Sequence, residues 1–187
     1  MLRFAAPLFA VLTPLPAVAD ACDEMWFIRN LHFDRAGYCF GSTLGQNIFD
    51  NAGCTGKDIK LDAEAQAGVD HIKEMEGYHG CKVDTEAERI DMPNDYMFRK
   101  LEDLPAPSET GSACMGWRGP AIAVLAGHRV DAPVVGTVRP GMDIMWDYES
   151  FGPAGWEIVS VYEGSDWVGL GWVEGPIDPD LCTQLAG

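Results

Sequence analysis

Basic residues are scarce in this chain: 13 Lys and Arg stand against 29 Asp and Glu, a formal net charge of -16 over 187 residues. Such a field repels a phosphate backbone, which sets nucleic acid aside as a partner. Long apolar runs are missing too. After Leu15 none approaches the roughly 18 residues of a membrane helix, so no stable membrane insertion is expected. There is no Gly-x-Ser-x-Gly elbow, no His-Glu-x-x-His, no phosphate-binding loop and no dinucleotide fingerprint, and hence no motif for the usual hydrolases or nucleotide enzymes. Nothing implies a cofactor, and no repeat or low-complexity tract is visible.

What is present begins with Met1-Leu2-Arg3, an apolar stretch from Phe4 to Leu15, then Pro16 and the small residues Ala17, Val18 and Ala19. A charged start, an apolar segment too short to span a bilayer and an A-x-A step make up a signal peptide. Residues 1–19 are therefore read as a leader cut after Ala19, with the mature protein periplasmic or secreted. Cys22 is preceded by Ala19, Asp20 and Ala21, without the leucine or valine of a lipoprotein site.

All six cysteines, Cys22, Cys39, Cys54, Cys81, Cys114 and Cys182, follow that cut, and an even number in an exported chain points to disulfides. A division near residue 110 would leave Cys114 to Cys182 and three pairings among the other four. The combination of Cys22 with Cys81 and Cys39 with Cys54 is preferred. In the chain-entropy model the shorter loop contributes about 3 kcal/mol and each longer one roughly 4 kcal/mol. In units of about 60 to 75 residues, contributions of that size decide whether the chain folds.

Helical signals come first along the chain. From Cys22 to Arg35, Trp26, Arg29, Asn30 and Phe33 follow helical spacing, with acids in the first turn, Arg35 in the last and Gly37 as a left-handed stop. A short helix fits Leu44 to Asp50 after Ser42 or Thr43, and a third fits Asp62 to Glu76 with Val69, Ile72 and Met75 on one face and Gly77 as its stop. Residues 83–112 are acidic and punctuated by Pro93, Pro105 and Pro107, which reads as a linker, although Ile90, Tyr96, Met97, Phe98 and Leu101 suggest that its middle packs on a neighbour. Then come "AIAVLA", "PVVGTV", "DIMWDY", "WEIVSVYE" and "DWVGLGWVEG", short runs bounded by turn residues. Their spacing argues a small antiparallel barrel.

Candidate chemistry is thin. His32, Asp34 and Cys39 would make a thiol site only if Cys39 were free and ionised, and nothing supplies an oxyanion hole. His71, His79 and Cys81, with Glu74 and Glu76 nearby, have metal-compatible spacing but need Cys81 as a thiolate, so no metal site is expected. Trp117, Trp146, Tyr148, Phe151, Trp156, Trp167 and Trp172 crowd the last third. Trp156 and Trp172, beside alternating valines, belong in a core. Tyr148, Phe151 and Trp167 sit in Gly- and Ser-rich, loop-like surroundings and are the candidate binding residues, because exposed rings stack on sugars or prolines.

Two stretches resemble known families. Met25-Trp26-Phe27-Ile28-Arg29-Asn30, Phe33-Asp34-Arg35-Ala36-Gly37-Tyr38-Cys39-Phe40 and Asn51-Ala52-Gly53-Cys54 resemble a YARHG domain, a small helical extracellular domain of bacteria, over about residues 22–76. Asp34 stands where the family has alanine and Ala36 where it has histidine, so a role of that histidine does not carry over. The resemblance implies a Cys39–Cys54 tie between two helices, with Arg35 bonding carbonyls at a helix end or an acid nearby. "APVVGTVRPGMDIMW", "GWEIVSV" and "GLGWVEG" are similar to the bacterial SH3-like domain from about Ile122 to Gly175.

The expected architecture is α+β: leader 1–19, helical YARHG-like domain 20–82, acidic linker 83–112 and SH3-like β-barrel 113–187. The expected function is that of a non-catalytic cell-envelope protein binding peptidoglycan, a peptide or another envelope protein. An envelope hydrolase, a redox enzyme with an unrecognised site or a secreted inhibitor are the alternatives.

Overall fold

The computed structural model describes residues 17–187, with side chains from Ala21 onward. The expected leader therefore lies outside the described residues, apart from its last three positions at the start of the first helix. Four helices precede one sheet: α1 Ala17–Arg35, α2 Thr43–Phe49, α3 Ala63–His79 and α4 Asp95–Lys100. The strands are β1 Ala106–Trp117, β2 Ile122–Leu125, β3 Val134–Val138, β4 Asp143–Glu149, β5 Trp156–Glu163, β6 Asp166–Glu174 and β7 Cys182–Ala186. The seven strands form an antiparallel sheet in the order β3-β2-β6-β5-β4-β1-β7, so β3 and β7 are its edges.

The three helix signals lie where the sequence puts them, except that α1 begins earlier, at Ala17, and α3 ends later, at His79. Ser42 caps α2 by accepting from the Gly45 N–H, and Asp62 caps α3 by accepting from Ala65. Gly37, at φ +87°, ends α1. α3 runs past Gly77 to His79 and stops at Gly80, which takes the left-handed conformation. A glycine inside a helix costs only about 1 kcal/mol. The last turn is held from both sides, by Arg29 paired to Glu76 at 2.9 Å and by the Cys22–Cys81 disulfide.

α1 is not a surface helix with one apolar stripe. Met25, Trp26, Phe27 and Ile28 are all buried, and four consecutive residues cover the whole circumference, so α1 is enclosed by its neighbours. One core joins Phe27, Ile28 and Leu31 of α1, Phe49, Ile72 and Phe98 to Ala106, Tyr148, Ile158, Leu170 and Trp172 of the sheet. A second core lies among Trp117, Val124, Val138, Ile144, Val159, Val161 and Val173. The two-residue alternation of strands sorts them: Ile158 faces the first core while Val159 and Val161 face the second, and Trp172 is followed by Val173 in the same way. Trp172 is fully buried, whereas Trp156 is only half-buried and packs against the first core.

The stretch expected as a linker, 83–112, is not a spacer. It carries α4 and the first half of β1, and Met97, Phe98, Leu101, Leu104 and Ala106 are buried. Its middle does pack on neighbours. Tyr96 stays exposed. Strand β1 tolerates Pro107 and the Ser-Glu-Thr-Gly run because its pairing with β4 shifts between Pro107 and Ser112, an irregularity that spares the strand a full ladder there. Arg35 does bond carbonyls at a helix end. They lie at and just past the end of α4: Phe98, Leu101 and Glu102, at 3.2, 2.6 and 3.0 Å.

All three preferred disulfides are present: Cys22–Cys81, Cys39–Cys54 and Cys114–Cys182. Cys39 is thus a staple between the end of α1 and the turn after α2, and none of the described cysteines is free. Among the described residues no helix is long and apolar enough to cross a membrane.

Candidate ligand pocket

Aromatic rings lead from the helices to the sheet. Phe40 stacks on Phe49 at 4.7 Å, Phe49 on Phe27 at 5.7 Å, and Phe27 meets the edge of Phe98 at 6.2 Å. Phe98 then touches Tyr148 at 5.7 Å and Trp167 at 6.0 Å, both edge-on. Such pairs contribute about 0.5–1.5 kcal/mol each beyond burial and fix ring orientation. Trp167 is further held by its indole N–H, which donates to the Gly169 carbonyl at 2.8 Å, and by the stacked ring of Tyr162.

Beyond Trp167 lies a pocket of about 220 Å³ lined by Glu24 of α1, Asp91, Met92, Pro93 and Asn94 of the turn before α4, and Trp167 of β6. The Tyr148 hydroxyl donates to Glu24 Oε1 at 2.9 Å. No other described side chain bonds to that carboxyl. Burial pushes Glu24 up to about 7, against the lowering effect of the Tyr148 hydrogen bond and with a smaller push from Asp147. Behind it, burial raises Asp147, which accepts from the Ser160 hydroxyl at 2.8 Å, and raises Tyr148 well above the ordinary phenol range. The arrangement is an acidic, aromatic-walled pocket in which the half-buried Glu24 carboxyl, held at one oxygen by Tyr148, keeps the other for an incoming donor.

Residues 80–187 match the family model described as a domain of unknown function, DUF4453. The chain belongs to the DUF4453 family. Residues 11–77 match the YARHG domain, a domain of extracellular type. No curated protein and no solved structure matches the chain. The pocket is therefore built from both parts, with Glu24 from the YARHG match and the other lining residues from the DUF4453 match.

Of the three expected binding residues, only Trp167 lines this pocket. Tyr148, expected to be exposed in loop-like surroundings at the end of the DIMWDY run, lies in β4 with 8% of its surface exposed, because the helices cover this face of the sheet. It orients Glu24 from behind instead of meeting a ligand. Phe151 is elsewhere, half-buried against α3 with its ring 5.4 Å from that of His71. Glu24, Met92 and Asn94 were missed. Glu24 reads in sequence as one more acid in a first helical turn, and nothing local announces that a tyrosine 124 positions away will reach it.

The other candidate clusters disperse. Cys81 is in a disulfide, Glu76 pairs with Arg29, and His71 Nε2 lies 3.1 Å from the Pro107 carbonyl. Among the described residues no group of three or more potential ligands could hold a metal ion. His32 is buried near Gly68 with Nε2 unbonded, and burial, followed by the charge of Arg35, lowers it to about 4, so it is neutral. A larger cavity of about 620 Å³ opens between Arg35, Lys60 and Glu64. Its polar groups are largely engaged already: Arg35 with the α4 carbonyls, Asp62 with Ala65, and Glu64 and Asp103 with His128.

Proposed function

We propose that this chain is a non-catalytic exported protein of the cell envelope that binds peptidoglycan, a peptide or another envelope protein, and that it does so through the pocket between Glu24 and Trp167. The observation that carries this reading is the pocket itself, where an oriented carboxyl and an aromatic wall come from two segments locked together by a shared core. Three disulfides and a domain of extracellular type support export. The β4-β5-β6 meander beside the paired first and last strands supports an SH3-like descent for the sheet.

The test is co-sedimentation of the purified protein with isolated sacculi and capture from envelope extract, each with wild type and Trp167→Ala. Binding that Trp167→Ala abolishes is the expected result. Absence of binding to both preparations would end the reading, and release of soluble fragments from the sacculi would replace it with a hydrolase.

A further inference from the structure

The chemistry of the pocket narrows its ligand. Every charged side chain in its lining, Glu24 and Asp91, is acidic, and no basic residue contributes to it. Trp167, Met92 and Pro93 supply apolar wall, and Asn94 a neutral polar group. At about 220 Å³ the space lies below the roughly 300 Å³ where pockets for drug-sized molecules begin, which suits one extended side chain. The net charge of -16 draws cations towards the whole surface.

We propose that this pocket takes the ammonium-tipped side chain of a peptide, a lysine or another diamino acid, with Glu24 facing the charge and Trp167 and Met92 lining the carbon stem. This deepens the binding reading above and rests on it for biological meaning only. Tyr148 holds Oε1 of Glu24 by a 2.9 Å hydrogen bond, which leaves the second oxygen for the ammonium. A neutral sugar ring would satisfy the aromatic wall and leave two carboxyls without a counter-charge.

Burial that raises Glu24 to about 7 is the mark of a carboxylate lacking a cation, and an ammonium would relieve it. The groups facing Glu24 are Tyr148 and Asp147 from β4, Tyr162 from β5 and Asp91 from the turn. None is basic, so binding strengthens with pH as Glu24 ionises.

Titration of the full-length protein with Nα-acetyl-lysine amide, followed calorimetrically, tests this directly. Saturable binding is expected, at least tenfold weaker for Glu24→Gln and for Trp167→Ala, lost when the probe amine is acetylated, and several-fold tighter at pH 8 than at pH 6. Asp91→Asn, at the exposed mouth, gives a variant whose folding is not in question and should weaken binding several-fold. Sacculi before and after N-acetylation separate peptidoglycan amines from those of proteins. Equal binding of amine and acetylated probe, or affinity unchanged in Glu24→Gln, overturns the proposal. Sacculus binding indifferent to acetylation would overturn it while leaving the binding reading intact.

Discussion

Replacing Glu24 by Gln should make the protein more stable, and only above a defined pH. In the fold its carboxyl titrates near 7, against 4.5 for the ordinary group. A carboxyl with a raised folded pKa binds its proton more tightly in the native state than in the unfolded chain, so stability falls as pH rises from 4.5 to 7 and then levels off. Each pKa unit corresponds to about 1.4 kcal/mol, so ionising Glu24 costs the fold about 3 kcal/mol at pH 8. Gln keeps an oxygen for the Tyr148 hydroxyl and cannot ionise. Urea denaturation followed by circular dichroism at pH 4.5, 6, 7 and 8 reads the difference between variant and wild type. That difference should grow with pH and plateau near pH 8 at roughly 3 kcal/mol in favour of Glu24→Gln. Asp147, also raised by burial, is present in both proteins and largely cancels. A difference independent of pH, or a variant less stable at pH 8, refutes the account. If the same substitution removes amine binding, the pocket is a place where stability is given up for recognition.

Three other outcomes follow from the geometry. His32 is lowered to about 4 from 6.5, so the fold loses the stability of keeping it neutral as pH falls through that window; His32→Leu should flatten the acid limb of the stability profile by about 3 kcal/mol, and an unchanged slope would count against buried, neutral His32. A Cβ on Gly171 would lie 2.5 Å from the Leu125 carbonyl, where β6 meets β2, so Gly171→Ala should cost on the order of 3 kcal/mol in urea unfolding, whereas a neutral effect would mean that the strands can part freely. Removing the Cys22–Cys81 link, which closes a separation of 59 residues, by double substitution to Ser should cost about 4 kcal/mol, measured by the denaturation midpoint under non-reducing conditions; a loss below about 1 kcal/mol would show that the shared core holds these helices without it.

The elements that could be read from the sequence are those whose signal is local. α2 and α3 carry their own caps in Ser42 and Asp62, α1 its own stop in Gly37, and β2 to β6 their turn-bounded runs of branched and aromatic residues. β1 and β7 escaped notice for opposite reasons. The first half of β1 carries Pro107 and small polar residues and pairs irregularly, while β7 is an exposed edge with only Cys182 buried, so neither shows an alternating pattern. The candidate site was half legible. An aromatic-rich final third pointed to Trp167, but the Gly- and Ser-rich residues after Tyr148 gave no sign that its ring is buried under the helices.

By itself, then, the chain order of residues determined three of the four described helices, with the caps of α2 and α3, five of the seven strands, and cysteines in number and place for three crosslinks, because capping, alternation and cysteine spacing act over a few residues or through covalent closure. Only the tertiary structure decided that α1 lies buried between helices and sheet, that residues 83–112 are a wedge with Phe98 at its centre, and that Glu24 meets Tyr148 and Trp167. The contact between Glu24 and Tyr148 alone joins positions 124 apart. Which acid becomes a desolvated, oriented carboxyl depends on what is packed around it, and that surrounding exists only once the helices have closed on the sheet.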